Sequence, residues 1–336
     1  MKSFKNKSIL ITGGTGSFGK NLSIYLNTFG FRKIVIFSRD ELKQHNFKNF
    51  LGKKSKNYRF LIGDVRDKPR LKFALKEIDY VIHAAALKQI PATEYNPFEC
   101  IKTNIMGAQN IVECSLETNV QKVIALSTDK AVSPVNLYGA TKLCSDKLFI
   151  SANQMKGNKD ISFSVVRYGN VLGSRGSILP VLLDQNKNQN NFTVTDKKMT
   201  RFNISLDEAV ETVMWTLKNG IGGEIVVPKL KSYKILDLVS AVNEKKKIKI
   251  IGIRPGEKLD EEMISVNDSI HAIDLKDYYL ILPHDKDKFK LKYLKEIKKL
   301  KNQKPFSYNS KENSYLKISE LKKLINSQIK KKLIEF

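Results

Sequence analysis

The amino-acid sequence predicts an α/β fold, a doubly wound parallel sheet followed by a smaller region of mixed structure. Three observations lead there. Short apolar runs alternate with longer amphipathic stretches through the first half of the 336-residue chain, the pattern of repeated strand–helix–strand units. Two of the runs, "DYVIHAAA" and "KVIALS", are almost continuously apolar, as strands buried on both faces require. The first run leads straight into a glycine-rich turn with a helical pattern behind it.

In chain order, the apolar runs place strands at residues 8–12, 33–37, 59–62, 80–83, 122–127 and 162–167. Helical patterns fill the intervals at 18–29, 41–51, 70–76, 97–118 and 137–155. From about Gly173 the pattern turns irregular, with Gly, Pro and Asn between shorter elements. A helix at 205–218, a strand at 224–227 and a terminal helix at 318–331 stand out there. There is no internal repeat.

Bulk properties narrow the functional classes. Hydrophobic residues make up 41% of the chain, ordinary for a globular protein and well above the disordered range. The formal net charge of +25 comes mostly from lysine, scattered or in runs such as 244–249 and 286–304 without interleaved aromatic platforms. That reads as a solvated surface that steers anionic ligands inward, and no nucleic-acid partner is expected. The apolar run 9–11 is too short for a signal-peptide core or a membrane span, so a cytoplasmic protein without a membrane partner is expected. Cys100, Cys114 and Cys144 lack metal-ligand spacing and read as reduced packing residues. No metal is expected.

The first strand runs into Thr12-Gly13-Gly14-Thr15-Gly16-Ser17-Phe18-Gly19. The first glycine permits the sharp strand-to-helix turn, and the next lets backbone approach a pyrophosphate. The last allows close helix–sheet packing, with the helix N-terminus facing the phosphates. Gly13, Thr15, Gly16, Ser17, Phe18 and Gly19 are therefore candidate contacts of a dinucleotide on a Rossmann-type sheet. At the end of the second strand, where a carboxylate would bind the ribose 2′-hydroxyl of NAD, the chain has Ser38-Arg39. Arg39 suits a 2′-phosphate and favours NADP over NAD. Asp64 and Val65 follow strand three at the adenine edge. Ala84 and Ala85 follow strand four, where small side chains let a dinucleotide lie close. Residues 1–171 form the cofactor domain in this reading, with about 205–227 packing back onto it. Residues 172–336 form a substrate region with a basic C-terminal extension.

Strand five ends in Ser127-Thr128-Asp129-Lys130, and Tyr138-Gly139-Ala140-Thr141-Lys142 follows. Tyr-x-x-x-Lys sets Tyr138 and Lys142 on one helix face. A free phenol titrates near pH ~10 and is a poor base at neutrality, and a nearby ammonium lowers that value. Adjacent side chains diverge along a regular strand, so Asp129 and Lys130 converge only if the strand has already ended.

The glycine motif, the strand-end Thr and Tyr-x-x-x-Lys, in that order, resemble the extended short-chain dehydrogenase/reductase superfamily. "STDKAVSPVNLYGATK" resembles more narrowly the inverting UDP-N-acetylglucosamine 4,6-dehydratases of pseudaminic acid biosynthesis. "FSRDELKQ", "AALKQIPATEYNPFECIKTNIMGAQN", "VRYGNVLGSRGS", "MTRF" and "IRPGEKLDEEMI" carry the likeness across nearly the whole chain. Asp129-Lys130 after the strand-end Thr differs from the Asp-Glu of dehydratases acting on dTDP-glucose. Tyr138 stands where the membrane-anchored, C5-retaining enzymes usually have methionine.

The resemblance implies roles. Tyr138, activated by Lys142, removes the sugar 4-hydroxyl proton while hydride passes from C4 to NADP, with Thr128 hydrogen-bonded to that oxygen. Lys130, as a neutral amine, takes H5, and Asp129, held protonated, donates to the departing 6-hydroxyl. Lys130 then reprotonates C5 from the opposite face. The resemblance also points to Lys88, Asn170, Arg175, Arg201, Arg254 and Glu257 as contacts of a UDP-sugar, and to a homo-oligomer. Arginine suits the diphosphate because its planar fork binds oxygens in pairs. Two positions depart from the family pattern: Asn203, where an aromatic is commoner, and Asp260, where histidine is. A C4 epimerase, or a bifunctional dehydratase–epimerase, is the alternative activity.

Overall fold

The chain was described from a computed structural model, which covers residues 4–174, 176–283, 293 and 304–330. Its first six strands are β1 (Ser8–Thr12), β2 (Lys33–Ser38), β3 (Tyr58–Ile62), β4 (Tyr80–His83), β5 (Lys122–Thr128) and β6 (Ser162–Tyr168). The shorter ones that follow are β7 (Asn170–Val171), β8 (Asn191–Val194), β9 (Thr200–Ile204), β10 (Ile225–Pro228), β11 (Ser232–Lys234) and β12 (Lys247–Ile250). Last come β13 (Glu262–Ile264), β14 (Ala272–Asp274), β15 (Tyr278–Ile281) and β16 (Tyr308–Asn309).

The large sheet runs β14-β15-β10-β6-β5-β4-β1-β2-β3. From β10 to β3 every pairing is parallel, and β15 and β14 are added antiparallel at one edge. The order 3-2-1-4-5-6 reverses between β1 and β4, and at such a switch point the strand ends leave a crevice open for a ligand. Strands β1 and β5 are buried almost throughout, which explains their unbroken apolar runs.

The helices follow the expected intervals, and their N-termini are set by capping side chains. Asp40 accepts from Lys43 N–H, Asp67 from Arg70 N–H and Asn136 from Gly139 N–H. Ser205 and Glu208 form a reciprocal capping box ahead of Leu206–Asn219. That helix is followed by β10, which pairs with β6, so this later segment lies on the large sheet.

Three features differ from the sequence expectation. The helix expected at 97–118 is broken into Pro97–Ile101, a π-helical stretch Lys102–Met106 and Gly107–Leu116. Asn104, buried in the wide turn, accepts from Leu87 N–H at 2.8 Å and donates to Leu87 C=O at 2.9 Å, which ties the loop after β4 in place. The edge strands β14 and β15 draw residues 272–281 of the C-terminal half onto the large sheet. Cys144 is exposed rather than packed, whereas Cys100 and Cys114 are buried, and all three are free thiols.

A second apolar core joins Leu179, Phe192, Tyr233 and Leu238 to Leu321 and Ile325 of the terminal helix Ile318–Lys330. Residue 331, the last of the helix expected there, lies outside the described residues. Among the described residues no helix is long and apolar enough to cross a membrane.

Candidate active site

A cleft of about 950 Å³ opens at the carboxyl ends of the central strands. One wall is the glycine turn. Gly13 has φ +64°, and a Cβ there would lie 2.9 Å from the Ala85 nitrogen and 3.0 Å from the Ala84 carbonyl. Only glycine lets this turn approach the β4 strand end so closely. A Cβ on Gly19 would lie 2.6 Å from Gly14 Cα, so the following helix also sits tight on the turn. Gly13, Thr15, Gly16, Ser17, Phe18, Gly19, Arg39, Asp64, Val65, Ala84 and Ala85 all line the cleft, as do Tyr138 and Lys142.

At the rim, Arg39 Nη1 stands 3.6 Å from Asp64 Oδ2 with half its side chain exposed. Burial would raise the Asp64 carboxyl, but bonds from the Arg66 side chain and backbone outweigh it and hold it below its ordinary value. The groove beside the glycine turn is bare backbone that side chains would fill, and Arg39 supplies a cation at its far end. These features fit a dinucleotide.

On the cleft floor, β5 ends at Thr128, and Asp129–Ala131 forms a single 3-10 turn. The strand therefore stops where the divergence of adjacent side chains required it to. Lys130 Nζ lies 3.0 Å from Asp129 Oδ1, and Thr128 Oγ1 donates to the same oxygen at 2.9 Å. Thr128, Lys130, Tyr138 and Lys142 line the cleft, while Asp129 lies fully buried just beneath. Burial pushes the Asp129 carboxyl up against the pull of Lys130.

The Lys130 amine moves the other way. Burial alone would lower it, but the Asp129 and Glu261 carboxylates hold it well above its ordinary range. These two carboxylates favour its ammonium form, so the neutral amine expected of it needs a proton to be passed on first. Burial raises the Tyr138 phenol to about 12, and Lys130 and a Thr128 hydrogen bond work against this burial most strongly. The cation assigned from Tyr-x-x-x-Lys to this task was Lys142. Lys142 is itself buried, which lowers its amine against the pull of Asp146 one turn along the helix. Asp146 Oδ2 accepts from Ser127 Oγ at 2.7 Å and from Arg167 Nη2 at 3.3 Å.

The expected substrate contacts divide. Lys88, Asn170, Arg254 and Glu257 line the cleft, and Asn170 Oδ1 accepts from Lys130 Nζ at 3.2 Å. Arg201 is not among the lining residues. Its guanidinium donates to the carbonyls of Thr200, Leu259 and Lys258, and its Nε lies 3.7 Å from Glu261 Oε1. It is committed to protein groups behind the floor, so a direct contact with a sugar diphosphate does not fit. Arg175 lies outside the described residues. Asn203 is buried, and Asp260 accepts from Thr200 Oγ1 at 2.7 Å; neither lines the cleft.

Two residues of the site were not anticipated. Glu261, 2% exposed, places Oε1 3.0 Å from Lys130 Nζ. It stands among four carboxylates at Glu257, Asp260, Glu261 and Glu262, and nothing in the spacing marks the one that turns inward. Asn136 caps the helix that carries Tyr138 and also donates to Gly256 C=O at 2.8 Å, joining that helix to the loop of Arg254 and Glu257. Its position before an amphipathic run was the available signal.

Residues 9–283 match the family described as polysaccharide biosynthesis proteins. The chain is 50% identical, over 96% of its length and 98% of the relative's, to the UDP-N-acetylglucosamine 4,6-dehydratase (inverting) of Campylobacter jejuni. It is 40% identical to a protein of Rickettsia canadensis named UDP-glucose 4-epimerase, over 96% of both chains. Among solved structures, Pen from Bacillus thuringiensis superposes with a TM-score of 0.88 at 36% identity, over 97% of this chain and 99% of that one. The dTDP-glucose 4,6-dehydratase DesIV of Streptomyces venezuelae, solved with NAD bound, shares the fold at 18% identity and a TM-score of 0.68, over 75% of this chain and 86% of that one.

Proposed function

The chain belongs to the polysaccharide biosynthesis protein family, and from that premise we propose that it is an NADP-dependent, inverting UDP-N-acetylglucosamine 4,6-dehydratase. The observation that carries the proposal is the buried Asp129 beside Lys130, both next to Tyr138 at the cleft floor. Removing and replacing a hydride at C4 needs only a base for one hydroxyl. Loss of water across C5–C6 needs in addition an acid for the leaving hydroxyl and a base for H5, which Asp129 and Lys130 supply.

A dinucleotide held by the glycine turn of Gly13–Gly19 and by Arg39 would supply the hydride chemistry at C4 and C6. The chain's own residues move the protons. Tyr138, in its phenolate form, takes the proton of the 4-hydroxyl while Thr128 hydrogen-bonds that oxygen. The resulting 4-ketone acidifies H5, which Lys130 removes as the neutral amine left once its ammonium has passed a proton to Asp129 Oδ1, 3.0 Å away. Asp129, whose burial favours the protonated form, donates to the 6-hydroxyl and releases water. Lys130 then returns its proton to C5 on the opposite face, which inverts that centre. Tyr138 ends with one proton gained and Asp129 with one lost, so a transfer between them resets the site. Thr128 is hydrogen-bonded to Asp129 at 2.9 Å on one side and to Tyr138 on the other.

Arg39 supports NADP over NAD, because its half-exposed guanidinium at the end of β2 suits a 2′-phosphate. The uridine diphosphate is read onto Arg254 and Asn170, with Lys88 nearer the sugar, and Glu257 holds the Arg254 loop through its backbone at 3.3 Å.

The test is a proton NMR time course with UDP-N-acetylglucosamine and no reductant. A 6-methyl doublet with 4-keto or hydrate signals is expected, and ring couplings then report C5 inversion. The Rickettsia relatives make a C4 epimerase the second reading. A galacto-configured product without a 6-methyl signal would establish it in place of the dehydratase.

A further inference from the structure

Glu261 is built into the floor of the cleft by more contacts than a chance ion pair would need. Its N–H donates to Ser310 Oγ at 2.9 Å, and its C=O accepts from Ser310 N–H at 2.8 Å. Ser310 Oγ also meets Thr200 Oγ1 at 2.6 Å. The next residue, Glu262, pairs with Asn309 in the β13–β16 ribbon, so a C-terminal strand fixes the backbone that aims this carboxylate. Arg201 faces Glu261 Oε1 at 3.7 Å, and three main-chain carbonyls hold that guanidinium still. Lys258 Nζ donates to Val132 C=O and ties the same loop to the turn that carries Lys130.

Counting the charges gives this arrangement a purpose. Asp129, Glu261, Lys130 and Arg201 form one buried cluster of two carboxyls and two cations. When Asp129 carries the proton that it donates, Glu261 is the one carboxylate of the cluster still facing the Lys130 amine. Its second oxygen, Oε2, is buried without a hydrogen-bond partner among the described residues, so its close polar contacts fall on Oε1, between Lys130 and Arg201.

We propose that Glu261 is a positioning residue for Lys130, holding its amine between Asp129 and Asn170 and governing how readily that amine gives up and takes back a proton. The proposal rests on the role given to Lys130 in the dehydratase reading and adds the group that controls it. Through Ser310 it also gives the segment after residue 304 a part in the chemistry, although that segment does not line the cleft.

The experiment uses the full chain with Glu261→Gln and Glu261→Asp. Lys130 is labelled with acetic anhydride over a range of pH, and its reactivity is read by peptide mass spectrometry. A unit charge at 3.0 Å, even with the screening of bulk water, moves an amine by about one pH unit. Glu261→Gln, which removes the charge and keeps an acceptor oxygen, is expected to shift the Lys130 labelling profile down by about one pH unit or more. The kcat profile should shift in the same direction, with KM for the nucleotide sugar changed less than about threefold. Glu261→Asp, which keeps the charge on a shorter arm, should restore the labelling profile with a lower kcat. A Lys130 profile in Glu261→Gln that overlays the wild type, with both proteins melting at the same temperature, would overturn the proposal. The labelling arm needs no substrate. A wild-type protein inert toward UDP-N-acetylglucosamine would therefore sink the substrate reading, while the labelling still decides the role of Glu261.

Discussion

Gly139 sits between the two halves of the cleft floor, the Tyr138 helix and the Lys130 turn, and replacing it with alanine separates them by a distance the structure fixes. It follows Tyr138 on the helix and faces the turn of Lys130. A Cβ built there lies 2.1 Å from the Lys130 carbonyl oxygen and 3.1 Å from Pro134 Cβ. To reach the 3.4 Å of ordinary contact, the Lys130 carbonyl must retreat by about 1.3 Å. The obstacle is backbone, so no side-chain rotation relieves it. Overpacking of this kind costs about 1–3 kcal/mol, against which alanine gains about 1 kcal/mol of helix propensity over glycine. The net loss is therefore about 0–2 kcal/mol, or at most roughly 4 °C in Tm for a chain of this size. Catalysis is the sharper readout. A misplacement of about 1 Å between reacting groups costs on the order of 100-fold in rate. Gly139→Ala should lower kcat about that much, while dinucleotide affinity, measured by calorimetry, stays within about twofold because the glycine turn and Arg39 are untouched. A variant with wild-type kcat would show that helix and turn have slack, and the argument from this close approach would fail.

Arg39→Ala should weaken NADP binding by about 10–100-fold, the range of a lost charge-assisted contact, and leave NAD binding nearly unchanged. Equal losses for both dinucleotides in calorimetry would remove Arg39 as the 2′-phosphate ligand. Asn136→Ala removes a helix cap and the bond to Gly256 C=O, at a cost of about 1 kcal/mol. It should raise KM for the nucleotide sugar more than it lowers kcat, since the loop it releases carries Arg254; the reverse split would contradict this. His83, fully buried with Nδ1 2.9 Å from Thr12 Oγ1, is lowered by burial from 6.5 to about 3. A depressed histidine contributes stability that is complete above 6.5 and is lost as pH falls toward 3, because only the unfolded chain takes up the proton in that window. Between about pH 7 and pH 5 this amounts to about 2 kcal/mol. His83→Gln should lose that much less than the wild type in urea titrations at the two pH values, and equal losses would refute the assignment.

Much of the site was legible because its parts are local in the chain. The glycine turn is one strand-to-helix junction, Tyr-x-x-x-Lys is one turn of helix, and Thr128-Asp129-Lys130 is one strand end. Each is defined by spacing of a few residues, and the structure places them around one cleft. Arg254 and Asn170, expected from the motifs that surround them, line the same cleft. Arg201 was misplaced for a related reason: a motif locates a residue along the chain but not the partners its side chain meets. Its guanidinium found three carbonyls and Glu261 instead of the cleft.

By itself the sequence determined the doubly wound sheet, its strand-to-helix alternation and the residues at its strand ends. Buried parallel strands and capped helices leave periodic marks in the chain, and β1, β5 and Asn136 show them plainly. Only the tertiary structure decided the protonation of the floor. Asp129, its neighbour in the chain, and Glu261, 131 positions away, together hold the Lys130 amine above its ordinary range, and Glu261 arrives beside it only on folding. The charge state of an amine depends on burial and on the distance to opposite charges, and neither quantity exists until remote segments have packed together.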